Sequence, residues 1–317
     1  MTRVLCIGGA NLDSTYRLAA PAVLETSNVA VTSRSFGGVA RNVAENLGRA
    51  GVPACLLAAV GSDANGWELI DHLSSFGVDT GLINVVNGES TSTYVAILQP
   101  DGELVLGVND MAVTSSITPG DIEDVDLSGF AWVFAECNLT RDSLSAVIAA
   151  ARGHERVKLA VDAISVPKVT RLPDDLSGID LIFANVDEAS ALMGVEYSRD
   201  IDGMVAAARG IVARGAASAV VTCGPLGCVT HSADGTWAVS AVPAEVVDVT
   251  GAGDARIAGT LAGLLRGETL PVASKAGSLF ATIAAESPTT ISTRLSRSTL
   301  DAMRDRLDAV TIKGIPA

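Results

Sequence analysis

Positive charge is scarce in this sequence. Only 22 Lys and Arg residues stand against 36 Asp and Glu residues among 317, so the net charge is −14. That balance argues against nucleic acid or an anionic membrane surface as the main partner. An anionic substrate such as ATP would therefore need a locally organised binding site, because the surface as a whole does not attract it.

Long apolar runs and paired cysteines are also missing. No stretch approaches 18 uninterrupted apolar residues, and the N-terminus enters an apolar strand pattern without a basic region or a cleavage site. The five cysteines are odd in number and scattered, without metal-ligand spacing, at Cys6, Cys55, Cys137, Cys223 and Cys228. We expect a soluble, cytoplasmic protein that spans no membrane and has buried free thiols.

Two large classes of phosphotransferase are excluded by absent motifs. The chain has no GxxxxGK[ST] loop, and it has neither an HRD nor a DFG sequence. It is therefore neither a P-loop kinase nor a protein kinase. The only histidines, His72, His154 and His231, lie far from the predicted strand ends, and we interpret them as structural or solvent-facing.

What the sequence does contain is a regular alternation of apolar strands and helical patterns. The alternation predicts an α/β fold of three layers, α/β/α, around a mostly parallel sheet with right-handed crossovers. The predicted strands are 4–7, 54–60, 131–135, 157–161, 180–184 and 217–222, and the clearest helices are 39–50, 67–76, 141–152 and 202–214. Without a repeat or linker, residues 1–317 are expected to form a single domain.

Two segments break this alternation. Residues 14–36 lack helical periodicity, and the strands 93–98 and 104–108 flank a hairpin turn with Pro100 and Gly102. They predict a small β-sheet standing off the main domain, from segments at about 14–36 and 90–110. It is either a lid that excludes water from a substrate or an ordinary surface hairpin. Its exposed edges would also suit a homodimer.

The block from Asp248 to Gly259 has the features of an anion site. Gly251, Ala252 and Gly253 have almost no side chains, so their backbone N–H groups can converge at a helix N-terminus. Asp254 follows in the first turn, where a carboxylate can take a proton from a hydroxyl during phosphoryl transfer. The alternative is an Asp that only caps the helix.

Polar residues follow several predicted strands, and the carboxyl ends of parallel strands converge at one edge of a sheet. They are Asn11, Asp13, Asp162, Asn185, Glu188, Thr222 and Gly224. Glu188 would organise Mg²⁺ through water, since this ion keeps much of its hydration shell. The alternative is an N-cap at Asn185 followed by acidic residues in the first turn of a helix.

Five motifs in this order resemble those of the ribokinase-like (PfkB) carbohydrate kinases. Asp248-x-Thr-Gly-Ala-Gly-Asp254 resembles the second family signature, and Gly37-Gly-Val-Ala-Arg-Asn42-Val-Ala-Glu-Asn-Leu resembles the first. The other three are similar to the sugar-binding start, the Mg²⁺ motif and the nucleotide-binding turn, at Gly9-x-Asn11-x-Asp13, Asn185-x-x-Glu188 and Thr222-x-Gly224-x-x-Gly227.

The resemblance implies a ribokinase-like fold and a role for each motif. Asp254 would deprotonate a sugar hydroxyl that attacks the γ-phosphate of ATP, while Gly251, Ala252 and Gly253 hold the transferring phosphoryl group. The implied sugar-binding residues are Asn11, Asp13, Gly37, Gly38 and Asn42. The implied nucleotide-binding residues are Asn185, Thr222, Gly224 and Gly227, with Mg²⁺ near Glu188. Asp248 and Thr250 could offer carbonyl oxygens to a monovalent cation such as K⁺.

Within the family, the first signature resembles the pseudouridine kinase branch. The segment Asp162-x-x-Ser165-x-x-Lys168 is also similar to that branch, in which the Lys approaches the nucleobase, and Glu286-Ser-Pro288 points the same way. The implied reaction is ATP-dependent phosphorylation of pseudouridine at its 5′ hydroxyl. For Lys168, the alternative is a solvated surface charge.

Two residues depart from the family pattern. Val249 replaces a Thr, whose backbone carbonyl is retained, and Arg256 stands where an apolar residue is usual. Arg256 would point away from the cleft, pair with an acidic neighbour, or lie near phosphate. Two other functions stay open: a kinase for another nucleoside or a free sugar such as ribose or fructose, and a catalytically silent nucleotide- or sugar-binding protein.

Overall fold

The computed structural model describes residues 3–316 as fourteen strands and ten α-helices. The strands are β1 (Val4–Ile7), β2 (Asn11–Leu18), β3 (Ala30–Gly37), β4 (Ala54–Gly61), β5 (Asp79–Val86), β6 (Thr93–Leu98), β7 (Leu104–Asp110), β8 (Trp132–Glu136), β9 (Lys158–Asp162), β10 (Leu181–Asn185), β11 (Ser218–Thr222), β12 (Cys228–Ser232), β13 (Gly235–Val239) and β14 (Ile312–Ile315). The helices are α1 (Val39–Arg49), α2 (Ala64–Ser74), α3 (Pro119–Glu123), α4 (Arg141–Arg152), α5 (Val186–Met193), α6 (Ile201–Ala213), α7 (Ala252–Leu265), α8 (Leu270–Ala285), α9 (Arg297–Ala302) and α10 (Arg304–Asp308).

The main sheet has ten strands in the order β14-β13-β12-β11-β10-β9-β8-β1-β4-β5. Its strands from β11 to β5 pair in parallel, whereas β12, β13 and β14 add an antiparallel edge. A parallel sheet needs crossover helices on its faces, so its central strands are apolar throughout. β1 and β4 are buried along their whole length, which confirms the predicted sheet.

Helices cover both faces of this sheet, and the two hydrophobic cores lie between the layers. Leu5 and Ile7 pack on one side with α4, α5 and α6, whereas Val4 and Cys6 pack on the other with α1, α2, α7 and α8. This split follows from the period of two along a strand, which sends alternate side chains to opposite faces. The predicted three-layer α/β/α fold is confirmed.

A second, smaller sheet holds four strands in the order β3-β2-β6-β7, drawn from the two segments predicted to form it. β2 pairs antiparallel with β3 and parallel with β6, and β6 and β7 form the predicted hairpin. Large apolar side chains on the two edge strands are exposed, among them Val31, Leu104, Leu106 and Val108. We refer to these four strands as the small sheet.

Several local features differ from the sequence predictions. β5 was not predicted, because as an edge strand it is only half-buried and its apolar pattern is weak. The helix expected at 67–76 begins at Ala64, since Asp63 caps it by accepting a hydrogen bond from Gly66 N.

All five cysteines are free thiols; four are buried and Cys223 is half-buried. Within residues 3–316, no helix combines the length and the apolar character needed to cross a membrane.

Candidate active site

Asp254 lies in the first turn of α7, at a tight turn that only glycine can make. Gly251 has a φ of +78°, and a Cβ there would lie 2.1 Å from the carbonyl oxygen of Thr290. Gly251 has no side chain that could cap the helix, so N–H groups in the first turn of α7 stay available for a ligand. Local backbone geometry therefore places Asp254 beside unpaired donors.

These donors differ in part from those expected. The N–H of Ala252 is already used, because it donates to the carbonyl oxygen of Val249 at 3.1 Å. Within residues 3–316, the N–H groups of Gly251, Gly253 and Asp254 have no protein acceptor. An anion at this helix start would therefore be held by Gly253 and Asp254 more readily than by Ala252.

The Asp254 carboxyl group accepts a hydrogen bond from another part of the fold. Nδ2 of Asn42, on α1, donates to Oδ2 of Asp254 at 2.7 Å. Burial raises the pKa of Asp254 to about 7; the bond from Asn42 and the charge of Arg41 oppose the rise, and the nearby Glu136 adds to it. A carboxyl group with a pKa near neutrality is suited to exchange a proton with a substrate hydroxyl.

The glycines before α1 let its N-terminus approach the turn between β1 and β2. A Cβ on Gly38 would lie 2.3 Å from the carbonyl oxygen of Gly9, and one on Gly37 would lie 2.3 Å from Oδ2 of Asp13. On the adjacent strand, Nδ2 of Asn11 donates to Oδ1 of Asp13 at 2.6 Å, and burial raises the pKa of Asp13. The two predicted sugar-binding motifs thus lie side by side.

A cavity of about 710 Å³ opens above these residues, within the usual range of small-molecule sites, roughly 300–1,000 Å³. Five of the six predicted substrate residues line it: Asn11, Asp13, Gly38, Asn42 and Lys168; Gly37 packs behind Asp13 instead. Tyr94 and Asn109 of the small sheet also line it. The structure therefore brings Lys168 into the same cavity as Asn42.

Glu136 and Asn138 belong to this site, although neither was predicted. Glu136 is fully buried; its Oε1 accepts from Gly9 N at 2.6 Å and from Asn138 Nδ2 at 3.1 Å. Oδ1 of Asn138 accepts a hydrogen bond from Nζ of Lys168. Glu136 directly follows the predicted strand 131–135 and Asn138 lies two residues further on, so the rule that identified Asp162 at a strand end would have found them too.

A second cavity, of about 160 Å³, adjoins Asp254 on the side of β9, β10 and β11. Its polar lining includes Asp162, Asn185, Glu188, Thr222, Asp254 and Arg256. Asn185 and Thr222 are brought together because they are partners in the register of β10 and β11. Gly224 and Gly227 form the turn after β11, with φ of +51° and +87°, and line neither cavity.

Glu188 has the capping role and also faces this second cavity. Its N–H donates to Oδ1 of Asn185, and its Oε2 accepts from Asn185 N, both at 2.9 Å. Oε1 has no donor within residues 3–316, and burial raises the pKa of Glu188. Burial, together with the charges of Glu188 and Asp254, raises the pKa of Asp162 well above its usual value.

Arg256 is buried and lines the second cavity. Its Nη1 donates to Oγ of Ser278 at 3.1 Å, and within residues 3–316 no carboxylate lies within 4.0 Å of its guanidinium group. The option of an ion pair with an acidic neighbour is therefore wrong. A buried cation without a carboxylate partner leaves positive charge available beside the Asp254 turn.

The candidate ligands for K⁺ and Mg²⁺ do not form one cluster. Oδ1 of Asp248 accepts from Thr250 N at 2.8 Å, and both residues lie outside the two cavities. In the part of the chain that the structure describes, no three His, Cys, Asp or Glu side chains are grouped to hold a metal ion. A single carboxylate such as Glu188 nevertheless suffices for a hydrated Mg²⁺ bound largely through phosphates.

Comparison with known proteins identifies the family. The sequence model of the pfkB family carbohydrate kinases matches residues 1–297. The chain belongs to the PfkB family. This PfkB kinase is 31% identical to the pseudouridine kinase of Escherichia coli over 81% of its own length and 82% of that protein. It is 29% identical to the ATP-dependent ribose-1-phosphate kinase of Halopiger xanaduensis, over 83% and 84% of the two chains.

Solved structures agree with the family assignment. A carbohydrate kinase from Agrobacterium tumefaciens superposes with a TM-score of 0.84 at 29% identity, covering 99% of this chain and 100% of that one. The fold is therefore ribokinase-like, as the motifs implied. This PfkB kinase is a phosphotransferase that acts on a hydroxyl group of a sugar or nucleoside, and kinases of the family use ATP, typically with Mg²⁺.

Proposed function

We propose that this PfkB kinase phosphorylates the 5′ hydroxyl of pseudouridine, with Asp254 as the general base. The observation that carries the proposal is the extent of the larger cavity. It reaches from Asn11 and Asn42 to the Lys168–Asn138 pair, so polar groups remain beyond a bound sugar. A nucleobase needs such groups and a free sugar does not. The similarity to a pseudouridine kinase supports the same substrate.

The proposed reaction begins with the sugar hydroxyl held beside Asp254. The ionised carboxylate takes the hydroxyl proton as the oxygen attacks the γ-phosphorus of ATP, and ADP leaves. The N–H groups of Gly253 and Asp254 would hold oxygens of the transferring group, where negative charge is concentrated. Asn42 would bind the substrate and Asp254 together, since it lines the cavity and donates to the base.

The nucleotide would occupy the second cavity and the turn that follows β11. Thr222, Asn185, Gly224 and Gly227 remain its proposed contacts. Glu188 would hold a hydrated Mg²⁺ through its unbonded Oε1, and the ion supplies charge neutralisation to the phosphates. The carbonyl oxygens of Asp248 and Thr250 accept no hydrogen bond within residues 3–316, so they remain proposed ligands for K⁺.

The small sheet would act as a lid over the sugar and as a dimer surface. Tyr94 and Asn109 line the larger cavity from this sheet, which supports a role as a lid over a bound sugar. Val31 on one edge strand and Leu106 on the other are 74% and 53% exposed, so a second copy could cover them. Free thiols and ATP use support our proposal that the enzyme works in the cytoplasm.

A kinase for another nucleoside or a free sugar is the second candidate. Asn11, Asp13 and Asn42 line one part of the cavity and could bind a sugar there without a contribution from Lys168. The 29% identity to a ribose-1-phosphate kinase is consistent with this candidate. A catalytically silent binding protein is disfavoured, because Asp254 and its unpaired N–H groups are both retained.

The deciding experiment measures ATP consumption at saturating Mg²⁺ with pseudouridine, uridine, cytidine, adenosine, inosine, ribose and fructose. Mass spectrometry and NMR of the product locate the phosphate. We expect turnover of pseudouridine well above that of uridine, with the phosphate at the 5′ position. Preferred turnover of ribose or another nucleoside would reject pseudouridine and keep the kinase. Nucleotide binding without turnover on any substrate would favour the silent binder.

A further inference from the structure

A continuous set of side-chain hydrogen bonds leads from the interior of α1 to Asp254. Asn42 has the central place: its Nδ2 donates to Oδ2 of Asp254 at 2.7 Å, and its Oδ1 accepts from Nη1 of Arg41 at 2.8 Å. Nη2 of Arg41 donates to Oε2 of Glu45 one turn further along the helix. The chain joins residues 212 positions apart in sequence.

Arg41 is too deeply buried to contact a substrate itself. It is 1% exposed and does not line the larger cavity, whereas Asn42 does. Besides Asn42 and Glu45, its Nη1 also donates to the carbonyl oxygen of Phe36 at 3.2 Å. Any effect of Arg41 on the reaction must therefore be indirect, through Asn42, through the backbone at Phe36 or through its charge.

The chemistry of these groups determines which way the Asn42 amide faces. An arginine can only donate hydrogen bonds, and an ionised carboxylate can only accept them. Placed between Arg41 and Asp254, the amide must turn its oxygen to Arg41 and its NH₂ group to Asp254. Without Arg41, the amide could turn its oxygen toward the protonated form of Asp254 and accept a hydrogen bond from its O–H, which would stabilise that form over the ionised base.

We propose that Arg41 is a positioning residue, which locks the Asn42 amide in the orientation that donates a hydrogen bond to the base Asp254. This inference rests on the proposed role of Asp254. Packing within α1 does not by itself explain why an arginine stands at position 41, since Arg49 also pairs with Glu45. The proposal gives this arginine of the Gly-Gly-Val-Ala-Arg-Asn segment a function.

The charges around Asp254 give the expected direction of the effect. Arg41 and the hydrogen bond from Asn42 favour the ionised carboxylate, whereas Glu136 on β8 favours the protonated form. Glu188 on α5 and Arg256 on α7 also line the second cavity, and Asp162 on β9 adds negative charge there only when ionised, since burial raises its pKa well above the usual value. Loss of Arg41 removes both a cation and the bond it orients, so the base should ionise at higher pH.

The test compares Arg41→Met with Arg49→Met across pH. Arg49 is the matched control, because its Nε donates to Oε1 of the same Glu45 at 2.7 Å but it does not touch Asn42. For Arg41→Met we expect the acid limb of kcat to move up by about one pH unit, with kcat at pH 7 reduced about fivefold and recovered at higher pH. The ATP KM should not change. Arg49→Met should keep the wild-type profile, even if its Tm falls.

An unchanged acid limb in Arg41→Met, or an equal shift in Arg49→Met, would overturn the inference. If Arg41→Met does not fold, Arg41→Lys serves the same purpose, because Lys keeps a charge but lacks the planar fork that joins Glu45 to Asn42. A smaller loss of kcat is then expected, and a wild-type profile again rejects the idea.

A double-mutant cycle separates this inference from the proposed function. In an Asn42→Ala background, Arg41→Met should cause no further loss of kcat beyond a small charge effect, whereas additive losses would show that Arg41 does not act through Asn42. Asp254→Asn is measured beside them. Full turnover in Asp254→Asn defeats the proposed base itself; an inactive Asp254→Asn with an unshifted Arg41→Met defeats only the positioning role.

Discussion

Nζ of Lys168 donates a hydrogen bond to Oδ1 of Asn138, and Asn138 is itself held by the buried carboxylate of Glu136. The lysine is therefore an ordered part of the larger cavity rather than a solvated surface charge. Its ammonium group retains further donors, since one ammonium has three. This arrangement makes Lys168 the residue through which substrate preference can be tested.

Lys168→Ala is expected to raise the KM for pseudouridine more than the KM for ribose. A lost hydrogen bond to a charged donor is worth about 1.5–3 kcal/mol, which corresponds to a roughly tenfold to hundredfold change in KM. Lys313→Ala, on the exposed edge strand β14, is the control and should change neither value. Equal losses on pseudouridine and ribose would contradict a contact with the nucleobase.

Asp254→Asn should reduce kcat by roughly 10²–10⁴-fold, the usual contribution of a general base, while ATP and substrate still bind. In the wild type, kcat should fall as pH drops through about 7, the pKa to which burial raises Asp254. Calorimetric titration of both ligands checks binding. Retained turnover in the variant would remove Asp254 from the role of base.

The same pKa shift has a consequence for stability. A carboxyl group whose pKa is raised by folding stabilises the native state below its unfolded pKa, and this contribution is lost as pH rises through the folded value. Asp254→Asn should therefore have a higher Tm than the wild type at pH 8, with little difference at pH 4. A difference in Tm that does not vary with pH would argue against the raised pKa.

Glu188→Gln should raise the Mg²⁺ concentration needed for half-maximal turnover several-fold, because an amide is a weaker ligand for this ion than a carboxylate. The capping bond from Asn185 N can be kept by the amide oxygen, so the Tm should change little. Asp187→Asn is the control: Asp187 is the neighbouring acidic residue, and it pairs with Arg199 at the surface. An unchanged metal requirement in Glu188→Gln would exclude a role at the metal.

Gly251→Ala should abolish most turnover by displacing the start of α7. Its Cβ would lie 2.1 Å from the carbonyl oxygen of Thr290, which as a backbone atom cannot easily move. Gly267→Ala is a matched control, because Gly267 has a similar φ of +80° but open space around it. It should cost only the strain of a positive φ, about 1–2 kcal/mol, and keep its kcat. Equal kcat losses in both variants would argue against a specific role for the Gly251 turn.

Arg256→Phe should raise the ATP KM about tenfold and leave the pseudouridine KM unchanged, because a charge-assisted hydrogen bond to phosphate contributes about 1.5–3 kcal/mol. Ser278→Ala is the control, since it removes the bonded hydroxyl and keeps the guanidinium group. If the ATP KM and kcat are both unchanged in Arg256→Phe, the arginine has no part in nucleotide binding.

The sequence alone predicted the layers, the small sheet and most of the candidate site. These features depend on local patterns: buried strands are continuous apolar runs, and most residues with a positive φ are glycines. Asn11, Asn42, Asn185 and Asp254 could be identified because each follows a strand or glycine turn within a short motif. β5 was missed because a half-buried edge strand has no strong pattern.

Only the tertiary structure decided how these motifs act on one another. Asn42 and Asp254 are 212 residues apart in sequence. They meet because α1 and α7 pack on the same face of the main sheet. Burial raises the pKa of Asp254 and Glu136 adds to the rise, and Glu136 accepts from Gly9 N because β8 pairs with β1 in the main sheet. The local sequence determines which hydrogen-bond donors and acceptors are present. The distances between them, and their removal from water, arise only when the layers pack. Packing therefore determines the orientation of the Asn42 amide and the pKa of the Asp254 carboxyl group.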